Sequence, residues 1–327
     1  MTLLLKKSEV RQLLSLDECI AAVEDAFRLH GQGRVQPPGV LGASVEGGGF
    51  HVKTAVLPGR PSYFAAKVNG NFSANPHQFG VPAIQGVIVL ADATRGQPLA
   101  VMDSIEITML RTGAATAIAA KHLARPASSV VTICGCGLQG RIQLRALSRV
   151  LPVARVFAWD IDPARARAYC ADMTADLRID VVPAAKLEAA TSKSDVCVTC
   201  TPSRTPFLKP AFLQPGTFVA AVGADSPEKQ ELDTAILASA KVVADVLDQC
   251  VAIGEIHHAI EAHRMTRADI HAELGEVVAS RKPGRTSDAE ITVFDSTGTA
   301  LQDVAAAALV YERALSTNAG SEVALDG

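Results

Sequence analysis

Three closely spaced glycines and one acid follow the order of a dinucleotide-binding site. The apolar residues 130–134 lead into Gly135-x-Gly137-x-x-Gly140, a helix-like stretch covers 138–149, and the apolar run 155–159 ends in Asp160. Glycines let the backbone turn sharply and approach a pyrophosphate, and the amides at a helix N-terminus attract its negative charge. Such a loop also occurs in plain strand-to-helix turns. The strand, helix and acid around this one favour a nucleotide site.

The same acid predicts NAD(H) rather than NADP(H) as the cofactor. A carboxylate at the end of the second strand accepts hydrogen bonds from ribose hydroxyls and repels a 2′-phosphate. Ile161 and Asp162 follow Asp160, in place of the Arg, Ser or Thr that would bind that phosphate. Arg165 and Arg167 lie close in the sequence and are the feature that argues for NADP(H).

Arg111 lies in an almost entirely apolar or small stretch that predicts a buried helix over 104–123. A buried arginine needs an anion, which is either an acid of its own chain or the carboxylate of a substrate held by two parallel hydrogen bonds. No obvious acid lies on its helix face. Gly113 costs about 1 kcal/mol in a helix relative to alanine, which indicates a close approach there. The prediction is therefore a substrate carboxylate.

Lys67 and Asp225 are the predicted catalytic residues. Lys67 ends a strand-like run, where lysine is usually a solvated edge residue. Beside an arginine it would instead polarise a carbonyl or imine, or accept a proton if its pKa is lowered. Asp225 follows the apolar run 219–222, at the strand end where ligands bind in parallel sheets. It would serve as an acid–base group, as the cap of a helix opened by Pro227, or as both.

Three further features are candidate sites. Ser296-Thr297-Gly298 follows the last predicted strand and suits a ribose, amide or carboxylate contact. Cys197-x-x-Cys200 lies in a strand-like run, and no second Cys or His pair has zinc spacing, so buried reduced thiols are expected. Adjacent helical residues diverge by about 100°, so His257-His258 is interpreted as a solvated helix face. The prediction includes no metal site.

Length and pattern predict two domains, since 327 residues exceed one comfortable core. A capping box at Ser15-x-x-Glu18 begins a helix that ends at Gly31, and strand-like runs at 50–56, 63–68, 87–90 and 99–102 follow. Alternating strands and helices then predict a Rossmann-type doubly wound parallel sheet in the α/β class, with strands at 130–134, 155–159, 180–182, 195–199, 217–222, 241–244 and 290–294. The helix-like stretch 298–316 returns to the first domain. The predicted domains are 1–124 plus 311–327, a mainly antiparallel α+β domain, and 125–310, the dinucleotide-binding domain.

Charge and hydropathy restrict the partners. The formal net charge is −3, which argues against nucleic acid as a main partner. No run of about 18 apolar residues is present, so no membrane span is expected, and the charged N-terminus is unlike a signal peptide. A cytoplasmic location is expected. The apolar strands of the first domain predict a sheet face that a dimer partner covers.

Taken together, these segments resemble the ornithine cyclodeaminase/μ-crystallin family over nearly the whole chain. The matching motifs are Lys67 after its strand; Met102-Asp103-Ser104, Thr108 and Arg111-Thr112-Gly113-Ala114-Ala115; Gly135-Cys136-Gly137-Leu138-Gln139-Gly140; Gly223-Ala224-Asp225-Ser226-Pro227 with Lys229-Gln230-Glu231-Leu232; and Phe294-Asp295-Ser296-Thr297-Gly298-Thr299-Ala300. The resemblance implies a homodimer formed by the N-terminal domains, a nicotinamide cofactor, and an amino-, keto- or imino-acid substrate. It also implies that Lys67 and Arg111 bind the substrate and that Asp225 supports proton transfer. The predicted cofactor-binding residues are Thr112, Gly135, Gly137, Leu138, Gln139, Asp160, Thr201, Gly223 and Ser296.

The chain departs from the family pattern at Gly39, where many members have a second basic residue. A carboxylate held by Arg111 alone would be bound more weakly by roughly 1.5–3 kcal/mol, the value of one charged hydrogen bond. Lys53 points the same way along its strand as His51 and is predicted to supply the lost charge. The departure bears on ornithine activity more than on the fold.

The prediction is an NAD(P)-dependent oxidoreductase that transfers hydride to or from the α-carbon of a small 2-imino or 2-keto acid or amino acid. One alternative is a cyclodeaminase, which releases ammonia without net redox change. The other is a non-enzymatic nucleotide-binding protein, against which the intact Lys67, Arg111 and Asp225 argue.

Overall fold

The computed structural model describes residues 1–325 and divides them into two compact units. Unit 1 contains residues 1–111 and the C-terminal segment from Thr299, and unit 2 contains residues 112–298. The sequence placed these boundaries after residues 124 and 310, where the helical and strand patterns break. The observed boundaries follow packing instead. A single helix continues through residues 111 and 112, and the whole C-terminal helix packs within unit 1.

The strands are β1 (Thr2–Leu5), β2 (Gly39–Val45), β3 (Gly48–Leu57), β4 (Tyr63–Asn71), β5 (Ile84–Asp92), β6 (Pro98–Asp103), β7 (Val130–Cys134), β8 (Arg155–Trp159), β9 (Asp180–Pro183), β10 (Val196–Thr199), β11 (Phe218–Ala221), β12 (Lys241–Ala244), β13 (Ala272–Glu273), β14 (Thr292–Asp295) and β15 (Ser321–Val323). The helices are α1 (Lys7–Leu13), α2 (Leu16–Gly31), α3 (Asn75–Gln78), α4 (Ile105–Leu123), α5 (Leu138–Leu147), α6 (Pro163–Leu177), α7 (Leu187–Thr191), α8 (Thr234–Ser239), α9 (Leu247–Ile253), α10 (Glu255–Glu261), α11 (Leu274–Val278) and α12 (Ala300–Thr317).

Unit 1 is built on a seven-stranded sheet in the order β15-β1-β6-β5-β4-β3-β2. All neighbouring strands are antiparallel except β1 and β6. Helix α12 packs against α2 and against β3 and β4. The predicted cap of α2 is present, since the Ser15 side chain accepts a hydrogen bond from the Glu18 amide. Strands β1, β2 and β15 were not predicted, because each is short or lacks a buried alternating pattern.

The two faces of this sheet differ in character. Leu41, Val52, Val68 and Val87 are successive cross-strand neighbours on one face, and we call them the apolar row. Leu41 is 65% exposed. The next register position, on the opposite face, pairs Lys53 of β3 with Lys67 of β4, and both are buried. The alternation of a strand therefore separates an exposed apolar surface from a buried basic one.

Unit 2 has the predicted Rossmann-type fold. Its eight-stranded sheet has the order β13-β12-β14-β11-β10-β7-β8-β9, and every neighbouring pair is parallel. The chain leaves β7 towards β8 on one side, and β10 lies on the other, so the order reverses at the carboxyl end of β7. Ligands bind at such a switch point in parallel sheets. In residues 1–325 no helix has both the length and the apolar character needed to cross a bilayer.

Candidate functional site

Unit 1 contains a buried cluster of charged side chains around Asp303 of helix α12. The Lys67 Nζ atom lies 2.6 Å from Asp303 Oδ2, and Arg111 Nε lies 3.0 Å from Asp303 Oδ1. Arg111 also donates a 2.9 Å hydrogen bond from Nη1 to Gln302 Oε1. The strand register brings Lys53 directly opposite Lys67. We call Lys53, Lys67, Arg111 and Asp303 the basic cluster.

Burial and positive neighbours make Lys67 unusually acidic. Burial, together with the charges of Arg111 and Lys53, lowers its pKa to about 7, while Asp303 opposes this shift. Burial alone would raise the pKa of Asp303, but Lys67 and Arg111 hold it below its usual value. Two basic side chains, Lys67 and Arg111, thus share one carboxylate, and the excess positive charge favours an added anion.

In the structure, Arg111 is paired with an acid of its own chain, Asp303. Asp303 lies 192 positions along the sequence, so it does not appear on the helix face of Arg111. Asp303 and Gln302 are the residues that sequence reasoning missed. The available signal was a polar pair inside the apolar helical stretch after Thr299. The amide nitrogen of Gln302 is buried and has no hydrogen-bond partner in residues 1–325.

The close approach predicted at Gly113 of helix α4 is present, and it is made by a neighbouring helix. A Cβ atom at Gly113 would lie 3.2 Å from the Ile142 carbonyl oxygen and 3.3 Å from the Ala146 Cβ. Helix α5 therefore makes the close approach. Thr112, a predicted cofactor residue, is buried in α4 directly before this contact.

Gly39 pairs with Thr54, one position away from the Val40–Lys53 pair. A side chain at position 39 would accordingly lie on the opposite face of the sheet from Lys53. Glycine at position 39 therefore does not remove a basic side chain from the face that carries Lys53 and Lys67.

The glycine loop of unit 2 has the geometry that a pyrophosphate needs. Gly135 has a φ of +105°, and a Cβ atom there would lie 2.9 Å from the Cys200 carbonyl oxygen. A Cβ at Gly140 would lie 2.2 Å from the Gly135 carbonyl oxygen. Gly137 is the N-cap of α5 without a side-chain cap, and a Cβ there would meet nothing within 4 Å. The open helix N-terminus fits a bound phosphate group. Leu138 is exposed in the first turn, and Gln139 follows it, half-buried.

Asp160 is hydrogen-bonded to the backbone of the glycine loop. Its Oδ2 accepts a 2.9 Å hydrogen bond from the Cys136 amide, and its Oδ1 accepts one of 2.9 Å from the Asp162 amide. The guanidinium of Arg165 lies 3.9 Å away. A cavity of about 330 Å³ opens here, lined by residues that include Gly135, Gly137, Trp159, Asp160, Thr201 and Phe207. The cavity and the uncapped amides fit a dinucleotide.

Asp225 lies where predicted, after β11, but it caps no helix. The residues from Pro227 form a turn, and the next helix, α8, is capped by Asp233, which accepts from the Ala235 amide. Asp225 accepts a 2.5 Å hydrogen bond from the Lys229 ammonium, and its side chain is about half exposed. The cap interpretation is wrong, and the acid–base interpretation stays a prediction.

The polar groups of the loop at Ser296 are hydrogen-bonded to an acid of the same unit. Asp245 accepts hydrogen bonds from Ser296 Oγ at 3.4 Å and from the Gly298 amide at 2.7 Å. Gln249 donates to Thr297 Oγ1 and to the Gly298 carbonyl, both at 2.8 Å. Ser296 is buried, so its hydroxyl contributes to packing of this loop.

Thr201 and Gly223, also predicted cofactor residues, are both bonded to a carboxylate that sequence reasoning overlooked. Glu231 Oε1 accepts from the Thr201 amide at 2.6 Å and from Thr201 Oγ1 at 2.7 Å. Glu231 Oε2 accepts from the Gly223 amide at 3.0 Å.

The residues considered for metal binding lie together on α10. The ligand atoms of His257, His258 and Glu261 on α10 are all within 4.8 Å of one another. Each imidazole already has one nitrogen at a backbone carbonyl, that of Val251 or Lys229. All seven cysteines are free thiols.

Comparisons with known proteins agree with this architecture. A model of the ornithine cyclodeaminase/mu-crystallin family matches residues 1–318. The chain is 45% identical to an alanine dehydrogenase of Archaeoglobus fulgidus over 325 residues, which cover 98% of both chains. It superposes with a TM-score of 0.95 on an archaeal alanine dehydrogenase dimer with bound NAD, with 44% identity and 99% of each chain covered. A Δ1-pyrroline-2-carboxylate reductase of Thermococcus litoralis, solved with NADH and L-proline, gives a TM-score of 0.93 at 33% identity, covering 98% of this chain and 100% of that one.

Proposed function

Because the chain belongs to the ornithine cyclodeaminase/mu-crystallin family, we propose that it is an NAD-dependent oxidoreductase acting on a small 2-imino or 2-keto acid or the corresponding amino acid. Relatives named as alanine dehydrogenase and pyrroline-2-carboxylate reductase support this reaction class. The observation that carries the proposal is the basic cluster, in which buried positive charge exceeds buried negative charge around Asp303.

In this proposal the basic cluster binds the substrate carboxylate. Arg111 offers a planar fork of donors, two of which are already held in place by Asp303 and Gln302. Lys53 and Lys67 add positive charge from the neighbouring strands. The Gln302 amide nitrogen supplies a buried donor for a substrate oxygen. A carboxylate bound here removes the charge excess that burial makes unfavourable.

Proton transfer is assigned to Lys67 and Asp225. A lysine whose pKa lies near 7 exchanges protons efficiently at neutral pH, because both forms are populated. Charged Lys67 polarises the carbonyl or imine of the substrate. Asp225, paired with Lys229 and accessible to water, exchanges a proton with the substrate nitrogen or with a water molecule.

The cofactor site is proposed at the glycine loop, with Gly135, Gly137 and the α5 amides at the pyrophosphate and Asp160 at the ribose. When bound there, a nicotinamide cofactor donates hydride to the substrate α-carbon or accepts it. The Asp160 carboxylate favours NAD(H), and relatives solved with NAD and NADH support that preference. Thr112, Leu138, Gln139, Thr201, Gly223 and Ser296 remain proposed members of the site.

A homodimer is also proposed, with the apolar row covered by a second copy of the chain. The row lies on four adjacent strands of unit 1, and Leu41, Val68 and Val87 are exposed in the single chain. Exposed contiguous apolar surface marks a site of association. The archaeal alanine dehydrogenase that the chain resembles is a dimer.

The proposed function is tested by following NADH oxidation with 2-keto acids plus ammonium and with cyclic 2-imino acids. Steady NADH loss matched by amino-acid formation is the expected result. Ammonia release from a diamino acid without net NADH change would instead establish a cyclodeaminase. Saturable NADH binding with no turnover across the panel would point to a non-enzymatic binding protein.

A further inference from the structure

Glu231 is a fully buried carboxylate that joins two loops of unit 2. One loop follows β10 and contains Thr201, which lines the cavity beside the glycine loop. The other follows β11 and contains Gly223, two residues before Asp225. The three hydrogen bonds from these loops to Glu231 use both carboxylate oxygens. A Cβ atom at Gly223 would lie 2.4 Å from Glu231 Oε2, so glycine is what permits this approach.

The backbone of Glu231 also forms a hydrogen bond with Phe207, another residue that lines this cavity. Its carbonyl oxygen accepts a 2.9 Å hydrogen bond from the amide of Phe207, whose ring lies 5.2 Å from that of Trp159. The Glu231 amide is held in turn at 2.7 Å by the buried carboxylate of Glu255. The side chain of Thr201 borders Gly135, since a Cβ there would lie 3.0 Å from Thr201 Cγ2. A single buried residue thus connects the glycine loop, the cavity wall and the turn that carries Asp225.

We propose that Glu231 is a positioning residue for the dinucleotide, and that its ionised form holds the Thr201 and Gly223 loops in the conformation that binds it. The inference rests on the proposed cofactor site. An ionised carboxylate only accepts hydrogen bonds, and all three groups that it meets here donate to it. A proton on Oε2 would place a donor against the Gly223 amide and lose that contact, whereas a proton on Oε1 would reverse the bond to the Thr201 hydroxyl, so either protonation changes a loop contact.

The local electrostatics place this change near neutral pH. Burial raises the pKa of Glu231 to about 7 against the hydrogen bonds from Thr201 and Gly223, which lower it. The titratable groups that face it are Glu255 on α10, Cys134 on β7 and Cys200 after β10. Burial raises the pKa of all three well above the usual value, which favours their neutral forms. Dinucleotide affinity is therefore expected to fall as the pH drops through the pKa of Glu231.

The test is the Kd of NADH, measured by fluorescence titration between roughly pH 6 and 8, for the wild type, Glu231→Gln and Asp295→Asn. Glutamine keeps the size but places an amide donor against a loop donor, so about tenfold weaker binding is expected at the upper pH. Glu231→Gln should also lose the pH dependence seen in the wild type. Asp295→Asn is the matched control, because burial raises the pKa of Asp295 to about 7 but its 2.9 Å hydrogen bond comes from the Ile256 amide.

A second measurement needs no variant. In the wild-type protein, the backbone amide resonances of Thr201 and Gly223 should titrate with one common midpoint near neutral pH. Unchanged NADH affinity and pH dependence in Glu231→Gln, or amides that do not titrate, would overturn the role of Glu231 while leaving the cofactor site intact. Absence of saturable NADH binding to the wild type would overturn the proposed function and this inference together.

Discussion

The Lys67 ammonium and the Asp303 carboxylate form a buried salt bridge of 2.6 Å between strand β4 and helix α12. The two residues are far apart in the sequence, and Arg111 shares the same carboxylate. Breaking such a pair from one side leaves an uncompensated buried charge, whereas an added anion is accommodated by the charge excess. The pair therefore links the stability of unit 1 to the proposed binding of a carboxylate.

Substrate affinity should depend on pH through Lys67. Burial lowers the pKa of Lys67 to about 7, so the side chain is charged below that pH and neutral above it. The KM of a carboxylate substrate is expected to rise as the pH increases through about 7, because the neutral amine no longer attracts the anion. Substrate binding should be accompanied by proton uptake, measurable by calorimetry in buffers of different ionisation enthalpy.

Asp303→Asn serves as the check on this assignment. Removing the carboxylate removes the charge that raises the Lys67 pKa, so the increase in KM should move to lower pH. A midpoint that is the same in the wild type and in folded Asp303→Asn would show that another group titrates.

Arg111→Ala should raise the KM of a carboxylate substrate by roughly 10–150-fold, the equivalent of one charged hydrogen bond. The Kd of NADH should stay within a few-fold, because Arg111 belongs to the basic cluster and not to the glycine loop. Arg313→Ala is the control, since Arg313 also pairs with an acid of unit 1, Glu18, outside the cluster. If Arg111→Ala loses folding but keeps a normal KM in the material that folds, Arg111 is only a structural ion pair.

Asp225→Asn should lower kcat by about 10²–10⁴, the usual contribution of a positioned proton donor or acceptor. Its melting temperature should change little, because Asp225 caps no helix in this structure. Asp233→Ala provides the contrast, since it removes the side-chain cap of α8 and should lower the melting temperature while leaving kcat nearly unchanged. A kcat near that of the wild type in Asp225→Asn would mean that the proton comes from another group.

NADH should bind more tightly than NADPH, because the Asp160 carboxylate repels a 2′-phosphate. Asp160→Asn keeps an acceptor for the Cys136 amide and removes the charge, so the ratio of the two Kd values should shrink towards one. Tighter binding of NADPH to the wild type would contradict the assignment and would direct attention to Arg165.

A charge in the apolar row should disrupt the proposed dimer. Val68 lies between Val52 and Val87 in the row, and Val68→Lys would bury an ammonium group against a second copy. Light scattering should show a dimer for the wild type and a monomer for Val68→Lys. Ile161→Lys is the control, since Ile161 is an exposed apolar residue in unit 2. A wild-type monomer at working concentration would exclude the proposed interface.

The sequence predicted best what depends on local pattern. The parallel strands of unit 2 and the turn at the glycine loop are confirmed, because they have continuous apolar runs and a glycine that the turn requires. The family resemblance is confirmed as well. Asp303 and Glu231 were missed, because their importance comes from partners brought together by folding and no spacing rule marks them. The cap at Asp225 failed because Pro227 opens a turn rather than a helix.

The most direct test of the central claim compares a cyclic 2-imino acid with its carboxamide as substrates for NADH oxidation. The wild type should prefer the acid strongly in kcat/KM, and Arg111→Ala should lose most of that preference, because the interaction between Arg111 and the carboxylate is the quantity that this double comparison isolates. A preference for the acid that is equally strong in Arg111→Ala would contradict the assignment of the basic cluster to the substrate carboxylate.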